Sequence, residues 1–160
     1  MLSYLLSIFF LWVGTAIQFT WPVWLRVFDQ PPHLLLALVA CTGLVRGAVD
    51  GCLAGLVAGV LLAGAAQLPM GGLLLGFMVV GAGAGLLRGT LFSERVMVAI
   101  LVSSVGVVIW EILRVILQPP AVWATWFSGM LGSIILTALV APLAFWLMRL
   151  TKPREPLYIP

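Results

Sequence analysis

Arg46-Gly47-Ala48-Val49-Asp50-Gly51 interrupts a stretch that is apolar from His33 to Leu68 except for Arg46, Asp50 and Gln67. Read as one helix, that stretch would be about 50 Å long at 1.5 Å per residue. The hydrocarbon core of a bilayer is only about 30 Å thick. A continuous helix would also hold Arg46 and Asp50 near mid-bilayer, where each charge costs at least about 2.5 kcal/mol on insertion scales. Two short helices meeting at Arg46 to Gly51 keep both charges in the headgroup layer, so the sequence predicts an inner hairpin built on Arg46, Gly47 and Asp50. The second helix then runs from about Pro32 to Val45 and the third from about Gly51 to Leu68, with Asp50 capping the third helix and Arg46 balancing its charge.

Outward from the hairpin the remaining spans follow. Tyr4 to Trp24 is a first apolar helix; it lacks the basic lead-in of a secretory signal, and more apolar sequence follows it. Gln30-Pro31-Pro32 breaks the chain, because proline removes a donor and displaces the preceding residue from helical geometry. Leu68-Pro69-Met70-Gly71-Gly72 is a turn, Leu73 to Leu87 a fourth helix, and Arg88 to Arg95 a polar connection in which Ser93 is an N-cap for a fifth helix, Val96 to Leu117. Gln118-Pro119-Pro120 interrupts again before a sixth helix, Trp123 to Met148, with a kink expected at Pro142. The expected organisation is a single transmembrane domain over residues 1–148 and a short cytoplasmic tail over 149–160.

Composition supports a membrane location. Of 160 residues, 63% are hydrophobic and 8% charged, and the mean hydropathy is +1.22. A soluble domain is about half apolar and a quarter charged, so this chain has too few polar side chains to coat a water-facing surface. The net charge of +3 is scattered, which disfavours nucleic-acid binding. With both termini inside, Arg46, Arg88, Arg95, Arg149, Lys152 and Arg154 fall on the cytoplasmic side and only Arg26 and Arg114 outside, as the positive-inside rule requires. Trp21, Trp24, Trp123 and Trp126 then fall at the outer interface, where indole rings partition. The fold expected is an all-α polytopic bundle of six transmembrane helices with both termini inside.

Glycines recur every fourth residue at Gly43, Gly47, Gly51, Gly55 and Gly59, and again at Gly81 and Gly85. In lipid, helices associate by close backbone approach at small residues. The faces Gly51, Gly55, Gly59 and Gly81, Gly85 are therefore helix-packing surfaces, serving either the bundle itself or a partner helix. Glu111 and Arg114, three residues apart on one face of the fifth helix, form an intramembrane charged pair. Arg114 is near enough to the exit to snorkel outward. The pair either is structural or contacts a partner or ligand. His33 has no neighbouring His, Cys or carboxylate in sequence and reads as an interfacial polar cap rather than a metal ligand. Cys41 and Cys52 show no metal or disulfide spacing. Ser103 and Ser104 lack a nearby base, and no Gly-x-Ser-x-Gly, HExxH or phosphate-binding loop occurs. No enzyme activity, cofactor or metal is expected.

Several segments in order carry a family resemblance: Pro32-His33-Leu34-Leu35-Leu36-Ala37-Leu38-Val39, Leu44-Val45-Arg46-Gly47, Gly51 to Leu61, Pro69-Met70-Gly71-Gly72, Gly81 to Arg88, and Ala141-Pro142-Leu143-Ala144-Phe145-Trp146-Leu147-Met148-Arg149. Together, over most of the chain, they resemble the rod shape-determining protein MreD family. The chain departs from that family at Pro32-His33, where Pro-Asp is common, and at Ala63, where an acidic residue is common. The resemblance implies a noncatalytic scaffold of the cell-elongation machinery. Such a scaffold binds an MreC-like bitopic membrane protein, supports RodA and a class B penicillin-binding transpeptidase in peptidoglycan synthesis, and sits among membrane lipids. It also implies a six-helix arrangement similar to the substrate-binding subunits of energy-coupling-factor transporters. The competing expectation is a small-solute, vitamin-like binding subunit of a transporter, which would show an enclosed pocket with convergent polar groups.

Overall fold

The computed structural model describes residues 2–22, 31–66, 70–89 and 96–151. The chain is all-helical over these residues: α1 (Leu2–Phe19), α2 (Leu34–Arg46), α3 (Ala48–Ala66), α4 (Met70–Leu86), a short 3-10 turn at Leu87–Gly89, α5 (Val96–Leu117) and α6 (Trp123–Leu150). α5 has the limits expected from the sequence. α6 continues past Met148 through Arg149 and Leu150, so the expected tail begins later, and helix is retained through Pro142. Trp24, Arg26, Gln67, the Ser93 cap, Arg95, Lys152 and Arg154 lie outside the described residues.

The chain does fold back between α2 and α3, and a single residue accomplishes it. Gly47 adopts φ +113° and ψ 178°. Its N–H donates to the Gly43 carbonyl as the last bond of α2, and its carbonyl accepts from the Gly51 N–H as the first bond of α3. The expected hairpin is therefore tighter than six residues. Asp50, expected as the cap of α3, instead lies within its first turn. The cap position belongs to Gly47, and the carboxylate stands in the first turn, where the macrodipole is positive.

Successive helices run antiparallel. α1 pairs Gly14 with Leu38 and Gln18 with Leu35 of α2. α3 pairs Gly51 with Gly81, Gly55 with Phe77 and Gly59 with Leu74 of α4. α4 sets Gly76 against Trp110 of α5. α2 occupies the axis. Leu34 through Val45 are all buried, and the helix packs against each of the other five. It runs parallel to α6, matching His33 with Thr137, Thr42 with Met148 and Arg46 with Thr151.

The outer surface is apolar. Met97, Leu101, Val105, Ile112 and Ile116 line the exposed side of α5, and Trp123, Phe127, Leu131, Ile135, Leu139 and Leu143 that of α6. A water-soluble monomer does not expose contiguous apolar surface of this extent. Length qualifies the expectation of six spans: Ala48–Ala65, Val96–Leu117 and Trp123–Leu150 are long and apolar enough to cross a membrane. The apolar stretches Tyr4–Phe19, Leu34–Arg46 and Gly71–Leu86 are shorter. α2 is the extreme case. Pro31 and Pro32 delay its start, and Gly47 ends it after 13 residues, about 20 Å of helix.

Candidate functional site

Two polar clusters stand at opposite ends of the bundle. At the end carrying the hairpin, Arg88 Nη1 donates to the Arg46 carbonyl at 2.8 Å, and Arg46 Nη2 donates to the Thr151 carbonyl at 2.7 Å. The Arg46 guanidinium also lies over the Tyr4 ring, 4.7 Å from its centroid. These bonds satisfy carbonyls at the C-terminal ends of α2 and α6, which lack partners within their own helices, and place cations where helix dipoles are negative. Arg46 thus serves α6 and α1, whereas the sequence reading assigns it to Asp50.

At the other end, Glu111 collects side chains from α5, α6 and the residue preceding α2. Trp126 Nε1 of α6 donates to Oε2 at 2.9 Å, Arg114 Nη1 donates to Oε1 at 3.3 Å, and His33 Nε2 stands 3.5 Å from the same Oε1. The Glu111 side chain is 5% exposed, His33 15% and Arg114 46%. Arg114 therefore reaches outward, as its position near the helix exit suggests, while the carboxylate accepts from Arg114 and Trp126 with His33 in contact. A buried carboxylate without such partners would be strongly destabilising.

The sequence expectation for His33 is corrected here. Its side chain makes no capping bond to α2 and instead faces Glu111, a carboxylate distant in sequence. Its main-chain N–H donates to the Thr137 hydroxyl at 3.1 Å, and Gln18 Oε1 accepts from the Leu35 N–H at 3.1 Å, so other residues meet the donors at the start of α2.

Because α2 begins level with Thr137, the N-terminal half of α6 extends about 21 Å beyond it toward Trp123. Between α5 and α6 there an open cleft of about 320 Å³ is lined by Glu111, Arg114, Val122, Thr125, Trp126 and Gly129, among others. Trp126 packs edge-on against both Trp123 and Phe127. Thr125 and Trp126, absent from the sequence-derived set of site residues, complete this surface. Trp126 was legible only as an interfacial indole.

The glycine faces occupy an internal seam. A Cβ on Gly51 would stand 2.7 Å from Gly43 Cα and collide with the Gly81 carbonyl; one on Gly55 would meet the Phe77 carbonyl, and one on Gly59 would lie 3.0 Å from Leu74 Cα. Gly81 meets Gly51 in return, and Gly85 meets Gly47 and Ala48. Backbone contact within the chain fills these faces. The alternative that Gly51, Gly55, Gly59, Gly81 and Gly85 receive a partner helix is corrected for that reason.

Among the described residues no group of three or more His, Cys, Asp or Glu is placed to hold a metal. Cys41 is buried and Cys52 partly exposed, both as free thiols. No family model, curated protein or solved structure matches the chain.

Proposed function

We propose that the chain is a noncatalytic scaffold of the bacterial cell-elongation machinery, a six-span inner-membrane bundle with both termini cytoplasmic. In this reading it binds an MreC-like bitopic protein and supports peptidoglycan synthesis by RodA and a class B penicillin-binding transpeptidase. The motif order from Pro32 to Arg149 resembles the MreD family, and one structural observation carries the reading further. The bundle axis, where a carrier would hold its solute, is filled by the leucine-rich α2, buried along its length. A filled axis with an apolar exterior suits a body that positions other membrane helices on its outside. Because the small-residue seam is internal, the docking surface in this reading is an outer helix face.

Co-expression of a tagged version with an MreC-like protein should recover a stable complex in mild detergent, and deletion of the gene should turn rods into spheres. A chain that never retains the bitopic protein, in cells whose shape survives the deletion, overturns the proposal.

A second reading, a small-solute-binding subunit, draws on the α5–α6 cleft and its charged pair. A thermal-shift screen with vitamins separates the two, since ligand at 100 times its Kd stabilises the folded state by about 2.7 kcal/mol.

A further inference from the structure

The cleft between the outer ends of α5 and α6 retains hydrogen-bonding capacity after the bundle's own bonds are made. Arg114 commits Nη1 to Glu111, yet a guanidinium carries five N–H donors, and this one is 46% exposed at the cleft wall. Glu111, held by Trp126 from α6, steadies the guanidinium from the buried side. The opposite wall is the opening turn of α6, where Val122 provides no side-chain cap for the first N–H groups and the helix dipole is positive. Exposed Trp123 and Phe127 flank it, the aromatic setting found at headgroup depth.

A volume of about 320 Å³ lies at the lower limit for small-molecule pockets and admits a headgroup. An arginine fork matches phosphate oxygens bidentately, and the neighbouring apolar surface of α6 accommodates an acyl chain.

We propose that this cleft binds the phosphate of a phospholipid headgroup, with Arg114 as its principal ligand-binding residue and the acyl chain lying along Trp123 and Phe127. The proposal rests on the membrane-spanning part of the functional reading and is independent of the scaffold role.

The test is native mass spectrometry of the delipidated full-length protein in detergent, titrated separately with phosphatidylglycerol, a phosphate-free diglucosyl diacylglycerol and inorganic phosphate. Phosphatidylglycerol should bind in preference to the glycolipid. Arg114→Gln should weaken it about tenfold, as expected for loss of a charge-assisted hydrogen bond. Ala121→Trp, which fills the cleft without altering charge, should weaken it as well, and Arg149→Gln at the opposite end should leave it unchanged. Competition by inorganic phosphate supports the phosphate chemistry. Inorganic phosphate binding without phosphatidylglycerol binding overturns the lipid source, and equal uptake of the glycolipid overturns the phosphate requirement. Should Arg114→Gln fail to fold, unchanged lipid binding by Ala121→Trp overturns the site. Alkaline extraction of cell membranes separates the underlying reading: a protein that stays in the membrane but ignores phosphatidylglycerol refutes the cleft alone, whereas one released by alkali refutes membrane insertion.

Discussion

Gly51 and Gly81 meet backbone to backbone across the α3–α4 seam, each occupying the space where the other's Cβ would stand. Gly51→Ala should therefore push the helices apart. The collision is with a carbonyl that cannot rotate away, and overpacking of this kind costs about 1–3 kcal/mol. Gly83→Ala, on the same helix as Gly81 but facing open space, should be neutral or slightly stabilising through helix propensity. Thermal unfolding of the two variants in one detergent checks the contrast, and equal midpoints would refute the seam.

Gly47→Ala isolates backbone strain from crowding. The nearest atom to an added Cβ is Arg88 Nη1 at 3.6 Å, so space is ample. The conformation, φ +113° with ψ 178°, belongs to a region essentially restricted to glycine, and forcing another residue there costs about 1–3 kcal/mol. The variant should unfold at a lower temperature without loss of helix content by circular dichroism in the folded state. Replacement at wild-type stability would mean that the hairpin does not depend on this residue's conformational freedom.

These two positions also show what was legible in the sequence. The fold-back was readable because two ionised side chains and two glycines interrupt an apolar stretch too long for a single span, and a continuous helix would hold both charges near mid-bilayer. The one-residue turn was not, since nothing in the local composition distinguishes Gly47 from Gly43 or Gly51 as the residue with positive φ. The pairing of His33 with Glu111 was hidden for a different reason. It depends on where α2 starts relative to α5, a tertiary register with no periodic signature. The one available clue was that alternating topology assigns both residues to the outer side. The glycine ladder was legible as packing, but only the placement of α4 decided what it packs against.

Trp126→Phe tests the donor that joins α6 to Glu111. The ring and its edge-on contacts with Trp123 and Phe127 remain available to phenylalanine, whereas the 2.9 Å bond to Oε2 is lost. Hydrogen bonds to a charged group contribute about 1.5–3 kcal/mol, and the variant should be destabilised by about that amount in micelles. A double-mutant cycle with Glu111→Gln checks the cause. The combined loss should fall short of the two single losses added together; strict additivity would mean that the indole and the carboxylate act independently.

Arg46→Met removes the donor to the Thr151 carbonyl and the cation over Tyr4 while keeping an apolar stem. The last turn of α6 then loses an external partner for its carbonyls, and α1 loses its contact at the hairpin end. A loss of about 1–2 kcal/mol is expected, from one charge-assisted hydrogen bond and a cation–π contact. Hydrogen exchange should localise it: amides over 146–151 should exchange faster, and those of mid-α5 should not. A uniform rise across all helices would place the effect in global stability instead.

Labelling by a membrane-impermeant maleimide, on a background with Cys52→Ser and the buried Cys41 retained, decides between three crossings and six. Val49, 74% exposed at the start of α3, and Val122, exposed before α6, are suitable sites for single cysteines. If every helix crosses, three passes separate these positions and they face opposite sides of the membrane. If only α3, α5 and α6 cross, two passes separate them and both face the same side. The antiparallel pairing of α3 with α4 and of α4 with α5 carries α4 back across whatever thickness α3 has traversed. The pairing therefore puts the two sites on opposite sides, and the proposed orientation with cytoplasmic termini expects Val49→Cys to label only after the inner face is made accessible, while Val122→Cys labels in intact cells. Labelling of both from one side would exclude the six-span topology, and with it the placement of Glu111 and Arg114 near the outer surface.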